Sequence, residues 1–266
     1  MDSVNKTLYI PLYGKSFVSK KNIILKDTKA EEIWDKVNFK LKRKSKSKYL
    51  AYFLAMRSAS FDLWVKEKME ENYDVIILHL GCGLDSRVLR INDSNHLWYD
   101  VDFESVINER KKYYEESDTY KMISSDIRNK EFLNFIPKDK DVIAIIEGVS
   151  MYLDTPSLKV LVSSLDTHFN KVYLMMDVYS NLASKLSKYK NPVTEVGVNK
   201  VYGLDDPTLV ESENVKFIKE VDITSSRYIE ELEGIEKKLF NKLYAGKFAK
   251  KLYRMYNYYK GEEWLC

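Results

Sequence analysis

Cysteine is scarce in this chain: 266 residues carry two, Cys82 and Cys266, and only three histidines. A disulfide framework needs more cysteines, and a zinc site is not expected from one pair and scattered histidines. Long apolar runs are missing too, none approaching the roughly 18 residues of a membrane span. The opening stretch MDSVNKTLYIPLYGK has no basic segment followed by an apolar one. A soluble, cytoplasmic protein without a membrane partner is expected. Charge of one sign is not in excess: 43 basic against 40 acidic residues leave a formal +3, too balanced for nucleic-acid binding over the whole surface. No G-x-x-x-x-G-K-[ST] phosphate loop occurs.

The hydrophobic content of 45% is ample for a full core. Twenty tyrosines raise the aromatic share to 13%, which suits packing at helix and sheet edges with some pocket lining. The chain is organised around Val75 to Asp102. Val75 to Leu80 is a short apolar run that breaks into Gly81-Cys82-Gly83, a buried strand opening into a tight turn. A second run, Leu97 to Val101, ends in Asp102. Backbone approaches a ligand closely at glycines, and a carboxylate at the next strand end accepts from ribose hydroxyls.

Residues 1 to 27 read as irregular, with Pro11 and Gly14 interrupting short apolar stretches. A helix is expected from Thr28, with Thr28 as N-cap, Glu31 completing a capping box, and an apolar stripe of Ile33, Trp34 and Val37. The run KLKRKSKSK, Lys40 to Lys48, is either a solvated loop or a basic rim that attracts an anionic substrate. A long helix follows to Asn72. Its Arg57 lies among Ala55, Ser58, Ala59 and Ser60, small neighbours that let another element approach, so it is held against a partner or sits in a salt bridge.

Beyond the glycines, Leu84 to Ile91 reads as helix and Phe103 to Glu116 as a charged amphipathic helix. Lys121 to Ser124, Val142 to Ile146 and Lys171 to Val178 read as further strands, with a helix from Thr155 to Phe169 that has Pro156 at its start. Such alternation predicts a doubly wound, mostly parallel α/β sheet. Tyr179 to Asp206, broken by Pro192, suits a lid or insertion; Val215 to Val221 reads as a half-exposed strand, and Tyr228 to Tyr259 as helical and basic. One domain is expected: a cap over 1–72, a cofactor-binding core over 73–178, and a lid, late strand and helices over 179–266.

Ligands of such sheets lie beyond the carboxyl ends of the strands, where Asp102, Asp126 and Glu147 would meet the glycine turn. A dinucleotide calls for G-x-G-x-x-G, but GCGLDS puts Ser86 in the third place. A cofactor without a pyrophosphate relaxes that need, and S-adenosylmethionine is one. The histidines, His79 in a strand, His96 in a loop and His168 near a helix end, read as structural.

The segments TLYIPLYGKS, LHLGCGLDSRVLRI, WYDVDFESVINERKKYY, SSDIRN and IIEGVSMYL resemble the leucine carboxyl methyltransferase family, including its bacterial polyketide-type O-methyltransferases. The resemblance runs from Thr7 to Asp177 and is loose after Tyr179. It implies a Rossmann-like methyltransferase sheet with an N-terminal helical cap. It also implies cofactor contacts at Lys15 and Arg57 for the methionine carboxylate, Gly81, Cys82 and Gly83 beside the methionine chain, Asp102 at the ribose, Asp126 and Ile127 at the adenine, and Glu147 beside the sulfonium, with Val101 a further cofactor contact. Tyr152 follows Glu147 closely enough to position the acceptor. The expected activity is S-adenosylmethionine-dependent O-methylation of a small-molecule carboxylic acid. The alternatives are methylation of a protein C-terminal carboxylate and a regulatory protein that binds the cofactor without turnover.

Overall fold

The computed structural model describes residues 5–42, 44–187 and 200–261. Its centre is one sheet of seven strands: β1 (Val75–Leu80), β2 (Trp98–Asp102), β3 (Tyr120–Ser124), β4 (Asp141–Ile146), β5 (Val172–Tyr179), β6 (Lys216–Val221) and β7 (Tyr253–Lys260). They lie in the order β3-β2-β1-β4-β5-β7-β6. The first five pair in parallel, and β7 is antiparallel to both β5 and β6. Strand order reverses between β1 and β4, so the crevice of this α/β sheet opens at their carboxyl ends.

Alternation along the strands divides the core between two faces. Ile76, Leu78, Leu80, Val142, Ala144 and Ile146 pack on one face. They meet Leu158, Leu161, Val162 and Leu165 of α6 (Thr155–His168), which Asp154 caps by accepting from the Ser157 N–H. Val75, Ile77, Ile143 and Ile145 pack on the other, against three helices that precede the sheet, α1 (Tyr9–Lys20), α2 (Thr28–Lys36) and α3 (Lys48–Glu71). Short α4 (Arg87–Ile91) and α5 (Glu104–Arg110) follow β1 and β2, and α7 (Asn181–Leu186) follows β5. The chain then forms α8 (Ser226–Ile229), α9 (Gly234–Leu243) and α10 (Lys247–Lys250). Tyr228, Ile229, Leu232 and Phe240 of this group join Tyr52, Met56 and Val18 of the cap in a third apolar cluster.

Three readings of the sequence need correction. The stretch read as irregular, residues 1 to 27, holds a helix at Tyr9–Lys20. Pro11 is tolerated in its first turn, and Gly14 lets α1 approach α3 so closely that a Cβ there would lie 3.3 Å from the Ala51 Cα. The cap of α2 is Asp27, which accepts from the Ala30 N–H at 2.8 Å, and Thr28 is already helical. The segment from Tyr228 is helical only in part, because Tyr253–Lys260 is β7. Alternation explains it: Met255 packs on one face and Tyr256 and Tyr258 on the other. Pro192 and the middle of the expected lid, residues 188–199, lie outside the described residues.

Candidate functional site

A cavity of about 1030 Å³ opens at the carboxyl ends of β1, β2 and β4. The turn after β1 forms its floor. Gly81 has φ +73°, and a Cβ there would come within 2.3 Å of Val149 Cγ2, so neither the conformation nor the space suits a side chain. The Val101 carbonyl ties this turn to β2 by accepting from the N–H groups of Gly81 (2.7 Å) and Cys82 (3.3 Å). Val101 itself is fully buried in the core and is not on the cavity wall, which departs from the expected cofactor contact. Cys82 does line the cavity, and burial raises its thiol well above the usual range, leaving it the neutral thiol.

Asp102 closes β2. One oxygen accepts from the Gly83 N–H and the other from the Phe103 N–H, both at 2.8 Å. Burial nevertheless pushes its carboxyl up to about 6, against those two bonds and Arg110. Each oxygen keeps lone-pair capacity toward the cavity. Asp126 and Ile127 lie on the wall beyond β3, where the Asp126 carboxylate receives the Arg128 side chain at 2.9 Å. Phe103 stands beside them, partly exposed.

The opposite wall is a buried charge network. Arg57, from α3, donates through Nε to Glu147 (3.0 Å) and through one terminal nitrogen to Asp177 (2.8 Å) and the Tyr253 hydroxyl (2.6 Å). Its other terminal nitrogen lies beside Gly148, where a Cβ would stand 3.1 Å away, and has no hydrogen bond among the described residues. Glu147 also accepts from Ser58 Oγ at 2.9 Å and from Arg87. Burial alone would raise its carboxyl; Arg87 and Arg57 outweigh that and hold it low, hence ionised. Lys15 reaches Asp85 at 2.8 Å. Arg87 and Arg90 extend the network to Asp62, and Arg90 to Asp27 and Asp85. The Leu84-Asp85-Ser86-Arg87 sequence thus welds the glycine turn to the cap.

Tyr152 lines the cavity and its hydroxyl bonds Thr7. His79 also reaches the wall but is buried, with Nε2 3.3 Å from Arg87; His96 pairs with Asp93, and His168 with the Ile136 carbonyl. The cavity therefore gathers Lys15, Arg57, Gly81, Cys82, Gly83, Asp102, Asp126, Ile127, Glu147 and Tyr152, every expected position except Val101. Sequence reasoning missed Asp177, whose oxygens accept from Gly148, Arg57 and Tyr253, and Tyr253 itself. Alternation in YRMYNYYK was the signal that would have found β7 and its first residue.

A turn that suits glycine, a strand-end carboxylate with spare acceptor capacity and a guanidinium edge together fit S-adenosylmethionine, whose parts are a methionine, a ribose and an adenine. The leucine carboxyl methyltransferase family model matches residues 3–165. The chain belongs to that family. Its cofactor is S-adenosylmethionine. The tetracenomycin polyketide synthesis O-methyltransferase TcmP of Streptomyces glaucescens is 24% identical over 241 residues, covering 89% of each chain. The S-adenosyl-L-methionine-dependent methyltransferase dpfgK of Gibberella zeae is 25% identical over 184 residues, covering 64% of this chain and 62% of its own. The magnesium protoporphyrin IX methyltransferase of Synechocystis PCC 6803, solved with bound S-adenosylhomocysteine, covers 88% of this chain and 93% of its own. Its TM-score is 0.53 at 12% identity, a likeness of fold. The plantazolicin methyltransferase BamL gives 0.51 at 10% identity over 97% of this chain and 98% of its own.

Proposed function

We propose that this family member is an O-methyltransferase that forms a methyl ester on an apolar, small-molecule carboxylic acid. The observation that carries the proposal is the division of the cavity. Its charged side is built from the turn after β1, Asp102, Arg57 and Glu147. The walls supplied by Ile10, Pro11, Leu50, Phe53 and Leu54, and by Tyr179 and later residues, carry no acid and no lysine or arginine. An aromatic or aliphatic acceptor body suits that side.

When bound, S-adenosylmethionine supplies a sulfonium methyl that an oxygen nucleophile displaces. In our assignment the free edge of Arg57 and the Lys15 ammonium meet the methionine carboxylate, and Asp102 accepts from the ribose hydroxyls. Asp126 and Ile127 border the adenine. Glu147, held ionised between two arginines, keeps negative charge on the sulfonium side. Tyr152 and Tyr253 line the side assigned to the acceptor. A carboxylate is ionised at neutral pH and needs no base, so the chain's task is to orient it and exclude water; positioning of this kind is worth roughly 7–11 kcal/mol. The assignment treats residues 1–72, 73–178 and 179–266 as cap, core and lid region of one methyltransferase domain.

A hydroxyl acceptor is the second reading. It is favoured by the Tyr253 hydroxyl, which accepts from Arg57 and donates to Asp177, whose carboxyl burial pushes up; that chain offers the acceptor's proton a destination.

Calorimetric titration of wild type, Asp102→Ala and Arg57→Ala with S-adenosylmethionine tests the site; equal affinity in all three would refute it. Methyl transfer from labelled cofactor to a panel of acids, phenols and peptides, followed by base treatment, tests the acceptor. A methyl ester hydrolyses in base and an ether survives, while labelled peptides alone would point to a protein C-terminus.

A further inference from the structure

One exposed face around the cavity mouth has no part in holding the cofactor. From Gly234 to Lys251 the chain carries six lysines and one acid, Glu236. That acid is already engaged by Lys48 and the Tyr52 hydroxyl, each at 2.5 Å. Lys237 pairs with Glu230, and Lys250 with Asp222. Lys238, Lys242, Lys247 and Lys251 have no ion pair among the described residues. The basic run that begins at Lys40 adjoins this face: Lys48 joins it through Glu236, and Ser47 bonds the Tyr244 hydroxyl. In a protein of formal charge +3, positive charge is therefore concentrated here and the remainder is acidic.

Apolar side chains are interleaved with those lysines. Ile235, Leu239 and Leu243 are exposed at 75%, 38% and 56%; at spacings of four they share one face of α9, a side not covered when Phe240 is buried. Phe248 is 62% exposed on α10. Across the opening, α7 exposes Leu182 and Leu186, and both Leu186 and Leu243 line the cavity. The rim of the acceptor side is thus apolar and its surround is cationic.

We propose that this face lies against an anionic lipid surface and that the acceptor enters the cavity from the lipid. A basic, amphipathic helical surface is suited to that boundary: apolar side chains enter the head-group layer while lysines meet the phosphates. A second copy would bring two cationic faces together, which opposes self-association. An acidic protein would match the lysines but would also have to match six exposed apolar side chains in shape. A lipid surface asks for no such fit, and it holds the kind of apolar acid that the cavity walls suit. The absence of a membrane span from the sequence bears on crossing a bilayer, not on lying against one. Delivery of the acceptor rests on the methyltransferase reading; the surface contact does not.

The test is sedimentation of the full chain with vesicles of phosphatidylcholine alone and of phosphatidylcholine mixed with phosphatidylglycerol. Binding is expected to the mixed vesicles and to fall with salt. Lys238→Glu with Lys242→Glu should weaken it at least about tenfold, since each basic residue near such a surface is worth about 1 kcal/mol. Leu239→Ser with Phe248→Ser should weaken it too. Neither pair lines the cavity, so calorimetric binding of S-adenosylmethionine should be unchanged in both; an unchanged titration shows intact fold and separates this proposal from the cofactor reading. No vesicle binding, equal binding to neutral vesicles, or retention by an acidic protein without vesicle binding would overturn it.

Discussion

Asp102 is the residue whose chemistry is most exposed to test. Burial places its carboxyl at about 6, above the ordinary 3.8. Between those values the folded protein holds a proton that the unfolded chain has released, so this group's contribution to stability declines as pH rises through the window. In the proposed assignment it is the ionised form that accepts from the ribose hydroxyls. Cofactor affinity is therefore expected to fall below pH 6, by up to tenfold per pH unit, with proton release on binding in that range. Calorimetry at pH 5 and pH 7.5 checks this, and Asp102→Asn should give a flat profile; an equally steep one would assign the dependence elsewhere. Gly81 makes a steric prediction. Gly81→Ala should abolish cofactor binding, because its Cβ would meet Val149 Cγ2 at 2.3 Å on a backbone with φ +73°. Adding Val149→Ala should restore binding in part, since the collision is relieved and the backbone strain is not. Tyr253→Phe deletes one hydroxyl that donates to Asp177 and accepts from Arg57. Leaving buried charged groups short of a partner should cost about 1–3 kcal/mol, read by urea unfolding.

At the scale of elements, the charge network that joins cap to turn carries a larger effect. Asp85 answers Lys15, Arg87 and Arg90 together, and breaking buried pairs from one side costs about 3–5 kcal/mol. Asp85→Ala should accordingly lower the urea midpoint more than Tyr253→Phe does. How much of this was legible follows from the kind of pattern involved. The first five strands are apolar runs bounded by turn residues, and their carboxyl ends place Asp102, Asp126 and Glu147 in one crevice as the sequence implies. Arg57 was legible as a held arginine from its small neighbours, but its partners Asp177 and Tyr253 lie far along the chain, and no local pattern encodes such a contact. Helix α1 was hidden by Pro11 and Gly14, residues that disfavour helix locally and here serve a first turn and a close approach. Strand β7 was hidden by the basic helical stretch before it, which masked its alternation.

For the whole molecule, the cofactor should act as a brace. The cavity touches all three apolar clusters through cap, sheet and C-terminal helices, so occupancy is coupled to global stability. Saturation at a hundred times Kd should add about 2.7 kcal/mol, seen as a rise in Tm that Asp102→Ala fails to show. The placement of β7 has a consequence for the order of assembly. Strand β6 leaves the chain before β7, yet it touches the sheet only through β7, which inserts between it and β5. Until Tyr253–Lys260 docks, β6 has no strand to join, and the cavity wall lacks Tyr253. The half that carries the glycine turn and Asp102 is able to form from consecutive strands, whereas the half proposed to meet the acceptor is completed by a long-range pairing that forms late, as loop closure disfavours it. Pulse-labelled hydrogen exchange during refolding should protect β1 and β4 amides before those of β6 and β7, so that competence to hold the cofactor precedes competence to use it.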